Sequence, residues 1–152
     1  MIRVQEEPFD SGQELALLKA GKTHIGGTVL FVGSVREMSG SADVSAMTLE
    51  HYPGMTEKAL EAIEAEAQRR WPLDATLIVH RYGRLVPGDD IVLVIAASAH
   101  REAAFEACHF LIDWLKTKAP FWKLEEGSSG PNWVEAKDSD DEAAARWESG
   151  KA

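Results

Sequence analysis

His100 to Lys123 reads HREAAFEACHFLIDWLKTKAPFWK, and the fold turns on how this stretch divides. His100–Lys118 is predicted as a long helix, and Phe121–Glu126, past Pro120, as a short strand. The basic pair His100-Arg101 opens the helix, Lys116 lies near its end, and Lys123 follows beside Phe121 and Trp122. Cations at both ends of an apolar stretch, in a chain of net charge −9, are the first sign of an anion site.

Outward from this stretch, Ala75–Tyr82 and Ile91–Ala97 read as strands, and Pro87-Gly88-Asp89-Asp90 between them suggests a hairpin. Met55–Arg70 is the clearest helix. Its Leu60, Ile63 and Ala67 are spaced for one buried face, Glu57, Glu61, Glu64 and Arg69 lie largely elsewhere, and Pro72 stops it. Ala46–His51 is predicted as a strand ended by Tyr52-Pro53-Gly54. Gly26–Val35 is β-branched and apolar and is expected to be a central strand, with Gly33 marking a bulge or a close backbone approach. Ile2–Glu6 reads as a first strand, followed by a short helix capped by Asp10 or Ser11 and stopped by Gly21.

Arg36–Val44 reads as a polar, mobile loop. Trp133–Lys137 reads as a last short strand beyond a flexible loop, Gly127–Pro131. Residues 1–137 are expected to form one domain. Residues 138–152 form an acidic, alanine-rich tail, partly disordered or docked, with Trp147 hinting at docking. Strands and helices do not alternate strictly, so the expected class is α+β, with mixed and antiparallel sheets and packed helices.

At 152 residues, 45% of them hydrophobic, the chain can bury a real core. No apolar run approaches a membrane span, and the N-terminus lacks a signal-peptide pattern. The single cysteine, Cys108, has no internal disulfide partner, so a cytoplasmic location is expected. A pI near 5.0 argues against a broad nucleic-acid surface and favours a local site for a small anion. Zinc spacing, a calcium loop, a Walker loop and a dinucleotide fingerprint are all missing, so neither metal nor cofactor is expected.

Several residues could carry chemistry. A helix N-terminus offers free N–H groups to an anion at His100-Arg101, and arginine adds a planar fork that matches phosphate. The alternative is a plain helix start. Lys116 could serve a site or merely complement the helix dipole; Lys118 has the same location and no further support. On a strand, Lys123 would share a face with Phe121 and Glu125, for catalysis or for cation–π packing. Arg36 ends an apolar strand, where ligand-facing residues are common. Glu50-His51 and His80-Arg81 are weaker candidates. His80 and His109 read as packed histidines, and Cys108 as a packed thiol.

Six stretches together resemble the MoaE family, the large, catalytic subunit of molybdopterin synthase. They are FVGSVR at Phe31–Arg36, LEHYPGM at Leu49–Met55, HRYGRL at His80–Leu85, SAHREAAFEAC at Ser98–Cys108, DWLKTKAPFWKLE at Asp113–Glu125 and WVEA at Trp133–Ala136. The resemblance implies a hammerhead-like subdomain and a central homodimer with a small subunit at each end. It implies a sulfurtransferase of molybdenum-cofactor biosynthesis acting on cyclic pyranopterin monophosphate. The sulfur would come from the thiocarboxylated Gly-Gly terminus of a small ubiquitin-like partner. Lys116 and Lys123 match the catalytic lysines. Ser34, Val35, Arg36, His100, Arg101, Leu124 and Glu125 match substrate-contacting positions. Leu124 departs from relatives that carry a base there.

Lys116 follows His100 by 16 residues, roughly 24 Å along one straight helix. That is too far for both to hold one small pterin, so His100 and Arg101 of one subunit are expected to join Lys116 and Lys123 of its mate. Three rival readings stay open: a module that binds a ubiquitin-like protein without catalysis, a phosphate-ester hydrolase, and a purely structural dimer.

Overall fold

The computed structural model describes residues 1–39, 42–127, 132–134 and 138–148. In chain order the elements are β1 (Ile2–Gln5), α1 (Ser11–Lys19), β2 (Gly27–Ser34), β3 (Met38–Ser39), β4 (Ala42–Asp43), β5 (Ala46–His51) and α2 (Met55–Arg70). There follow β6 (Leu73–Arg81), β7 (Gly83–Leu85), β8 (Asp90–Ser98), α3 (Arg101–Lys118), β9 (Phe121–Glu126), β10 (Asn132–Val134) and α4 (Asp138–Ala145). The fold is α+β, built on two four-stranded sheets.

Sheet one has the order β1-β6-β8-β2. β1 runs parallel to β6, and the other pairs are antiparallel. Helices cover both faces. Leu60 and Ile63 of α2 and Phe110 and Leu111 of α3 pack with Ile78 and Val94 on one side. Phe9, Leu15 and Leu18 pack over Leu77, Val79, Leu93 and Ile95 on the other. A strand buried on both faces needs apolar residues at every position, which explains the unbroken apolar run of β8.

The same reasoning corrects the expectation for Gly26–Val35. β2 is an edge strand rather than a central one. Val29 and Phe31 pack on the α2/α3 side and Val32 on the α1 side, so its apolar character reports covered faces and not its lateral position. Gly33 fulfils the first alternative raised for it, the bulge, while the close neighbour is a side chain and not a backbone. The register shifts between Gly33 and Ser34, and a Cβ on Gly33 would lie 2.7 Å from Val92 Cγ1.

Sheet two, β10-β9-β5-β7, is antiparallel throughout. β6 and β8 do pair antiparallel as the turn chemistry suggested, but the chain between them adds β7 to the other sheet. Leu85 thereby reaches a separate cluster with Val35, Met47 and Leu49. The loop expected over Arg36–Val44 carries a small hairpin, β3 with β4. Residues 128–131 of the expected flexible loop, and 135–137 of the expected last strand, lie outside the described residues.

Local signals set the helix ends. Asp10 Oδ1 accepts from the Gln13 N–H at 3.0 Å and caps α1. Glu57 accepts from the Gly54 N–H at 3.1 Å at the start of α2, where Gly54 sits at φ 86°. Downstream of α4, Trp147 packs edge-on against Phe110 and Trp71, and its indole N–H donates to Asp113 at 2.7 Å. His109 departs from the packed position expected of it. It is exposed on the outer side of α3, beside Arg146 and the Trp147 ring edge. Its neighbours Cys108 and Phe110 take the buried positions instead.

Candidate functional site

β8 runs from Asp90 to Ser98, and α3 returns along it, so the two ends of α3 lie at opposite ends of sheet one. At the first end Gly27 pairs with Ser98, and a Cβ on Gly27 would lie 3.3 Å from Arg101 Cα. His100 is the extended N-cap of α3, and its N–H donates to Ser98 Oγ at 3.3 Å. Both His100 and Arg101 are exposed. Gly26 lies so close that a Cβ there would be 2.0 Å from the Ala99 carbonyl oxygen. That contact is backbone against backbone and cannot relax by a rotamer change. Gly26→Ala is expected to cost about 1–3 kcal/mol of stability in urea unfolding. An unchanged midpoint and slope would show that the junction before His100 yields freely.

At the other end, Lys116 stands exposed in the last turn of α3. The chain turns through Ala119 and Pro120 into β9, whose register with β5 pairs Phe121 with His51, Lys123 with Leu49 and Glu125 with Met47. Alternation puts these six residues on one face of sheet two. That face meets the end of β6, where the His80 and Phe121 rings stack at 3.8 Å and 18°. His51 lies 4.5 Å from the Tyr82 ring and 6.2 Å from Phe121, completing an aromatic cluster.

His80 lies within electrostatic reach of Lys116 and Lys123. Its Nδ1 is 2.8 Å from the Arg81 carbonyl oxygen. A carbonyl only accepts, so Nδ1 carries the proton and Nε2 the lone pair in the neutral ring. Burial pushes its pKa down to about 4; the Arg81 bond works against this, and the charges of Lys123, Lys116 and His51 push further down. Two lysines from different elements therefore face one buried, neutral imidazole. Lys118 differs: its ammonium lies 3.2 Å from Glu148 and 4.8 Å over the Trp114 ring. Two positions along a helix turn a side chain to another face.

The Ser34–Arg36 segment lies at the Asp90 end of β8, the end at which α3 terminates. Ser34 Oγ donates to Asp90 at 2.8 Å, and Arg36 is exposed. The Val35 side chain is buried against Met47, Leu49 and Leu85, its N–H donates to Asp89 O, and its carbonyl accepts from Gly88. Val35 thus anchors its neighbours and offers no free polar group of its own backbone. Leu124 lies on the face of β9 opposite Lys123, and Glu125 on the same face. Cys108 is buried, and its thiol is pushed up to about 12 by desolvation, which leaves it inert as a nucleophile. Among the described residues no group of three or more His, Cys, Asp or Glu could hold a metal ion. No helix among them is long and apolar enough to cross a membrane.

The chain matches the model of the MoaE protein family over residues 4–118. It belongs to the MoaE family. The molybdopterin synthase catalytic subunit of Pseudomonas aeruginosa is 58% identical over 147 residues, covering 97% of this chain and 98% of that one. A solved molybdopterin biosynthesis MoaE protein from Burkholderia ambifaria superposes with a TM-score of 0.84 at 53% identity, covering 97% of each chain. Molybdopterin synthase from Staphylococcus aureus superposes with a TM-score of 0.81 at 32% identity, over 88% of this chain and 96% of that one. The MoaE match itself ends at Lys118, so Lys116 falls within it, while Lys123 lies in the segment covered only by whole-chain relatives.

Proposed function

We propose that this chain is the catalytic subunit of a molybdopterin synthase. It moves sulfur from the thiocarboxylated C-terminus of a small ubiquitin-like subunit to cyclic pyranopterin monophosphate, and two transfers build the dithiolene. The observation that carries the reading is that Lys116 and Lys123, from α3 and β9, lie within electrostatic reach of one buried neutral ring. Both the substrate phosphate and the thiocarboxylate are anions, and an acidic protein must gather local cations to bind them. In the proposed roles, Lys116 and Lys123 stabilise charge on the acyl-thio intermediate or protonate a leaving oxygen. Arg36, His100 and Arg101 hold phosphate, with Ser34, Val35, Leu124 and Glu125 shaping the pocket. A cytoplasmic location is part of this reading, supported by the lone cysteine and the reaction's need for reduced sulfur.

His100-Arg101 and Lys116 stand at opposite ends of α3, roughly 22–24 Å apart along its axis. A complete site therefore draws His100 and Arg101 from one subunit of a homodimer and the lysines from the other. Mixed dimers of an Arg101→Ala chain and a Lys116→Ala chain would contain one doubly damaged and one intact site. Sulfur transfer should recover to about half the wild-type value. No recovery over the separate mutants would sink the shared site.

The decisive assay for the whole reading combines the protein, the pyranopterin and the thiocarboxylated small subunit, with molybdopterin as readout. Product formation is expected. A bound small subunit without product would favour a non-catalytic binding module instead.

A further inference from the structure

His80 sits where sheet one, sheet two and the end of α3 meet, and it is not among the groups proposed to hold substrate. It is 6% exposed. Its Nδ1–H is committed to the Arg81 carbonyl at 2.8 Å, which fixes the ring plane at the end of β6. One ring face stacks on Phe121 at 3.8 Å. Phe121 opens β9, and Lys123 lies two residues on, on the same face. β6 also packs beneath α3, through Ile78, in the cluster that holds Leu115.

We infer that His80 is a positioning residue for sulfur transfer: its ring is the platform on which Phe121 rests, and through Phe121 it sets Lys123 opposite Lys116. The inference rests on the synthase reading for its functional meaning. His80 does not touch the reacting atoms; it holds the element that carries one of the proposed catalytic lysines. Being neutral at working pH, the ring adds no third charge beside the two ammonium groups. The titratable groups facing it are Lys116 from α3, Lys123 from β9 and His51 from β5. A displacement of about 1 Å in a reacting group can cost on the order of 100-fold in rate.

The test compares two substitutions. His80→Asn keeps a donor for the Arg81 carbonyl and loses the ring; His80→Phe keeps the ring and loses both nitrogens. With the pyranopterin and the thiocarboxylated small subunit, His80→Asn should lower kcat by about 10- to 100-fold while KM for the small subunit stays within about twofold. His80→Phe should restore most of the rate. An Asn variant as fast as wild type, or a Phe variant as slow as Asn, would overturn the platform role.

Phe121→Leu removes the stack from its other side and guards against a misfolded His80→Asn. It should show the same loss in kcat, and rates within about twofold of wild type would overturn the proposal. The NMR signals of the Lys123 side chain supply a readout free of substrate. They should move in His80→Asn and return in His80→Phe; signals unmoved by His80→Asn overturn positioning. A wild type that makes no product would overturn the synthase reading, while these signals would still decide whether His80 holds Lys123.

Discussion

Lys116→Ala should lower molybdopterin formation by about 10²- to 10³-fold, with binding of the small subunit nearly unchanged. The expectation follows from where Lys116 stands. It is exposed at the end of α3, so its removal leaves no cavity and strands no buried partner. Any large loss must therefore come from the reaction and not from the fold. A cation aimed at developing negative charge is worth roughly 3–4 kcal/mol when lost, the equivalent of that rate change. Lys118→Ala is the matched control, two residues away and engaged with Glu148 and Trp114; it should leave the rate within about twofold. Lys116→Arg separates two roles. If the pH–rate profile of this variant matches wild type, Lys116 acts through charge and not by donating a proton. Equal product from wild type and Lys116→Ala would remove Lys116 from the mechanism and leave the family assignment standing.

Acid should destabilise the fold well before most carboxylates titrate, and His80 is the expected cause. Its pKa falls from 6.5 to about 4 on folding, because burial and neighbouring cations disfavour the imidazolium. A depressed folded pKa means the unfolded chain binds the proton more tightly. The contribution is therefore fully present above pH 6.5 and is lost as pH falls toward 4. The expected loss between pH 7 and pH 4 is about 3 kcal/mol, from urea unfolding at the two pH values. Glu66, held down to about 2 by hydrogen bonds from Arg69 and Arg70, weakens the fold only at lower pH, as it titrates below its ordinary 4.5. In His80→Phe the drop should vanish between pH 7 and 4.5, leaving only the onset of the Glu66 loss below that. Parallel stability curves for wild type and His80→Phe would assign the acid sensitivity elsewhere.

Much of the fold was legible in sequence because its signals are local. α2, β5 and β9 have the bounds read from periodicity, proline and turn residues. β7 was not legible, since three residues, Gly83–Leu85, are too short for any period to register. The edge position of β2 was hidden because helices on both faces make an edge strand as apolar as a central one. The packing expected from sequence holds for Cys108 and His80, which are buried, and fails for His109, which is exposed. On α3, three neighbouring positions cannot all face the core, and Cys108 and Phe110 take it. The cluster of His51, Tyr82, His80 and Phe121 had no local signature at all. It exists only because β6 from one sheet abuts β5 and β9 of the other.

The strand order also sets a timetable for synthesis. Sheet one is complete once Ser98 has emerged, since β1, β2, β6 and β8 are all present by then. Sheet two must wait for β9, which pairs Phe121 with His51, 70 positions earlier in the chain. Such distant pairings close slowly, because loop entropy is spent before the contacts form. On the ribosome, the half of the protein that will hold Lys123 is therefore the last to take shape. A nascent chain has a finished scaffold before it has both proposed catalytic lysines in place.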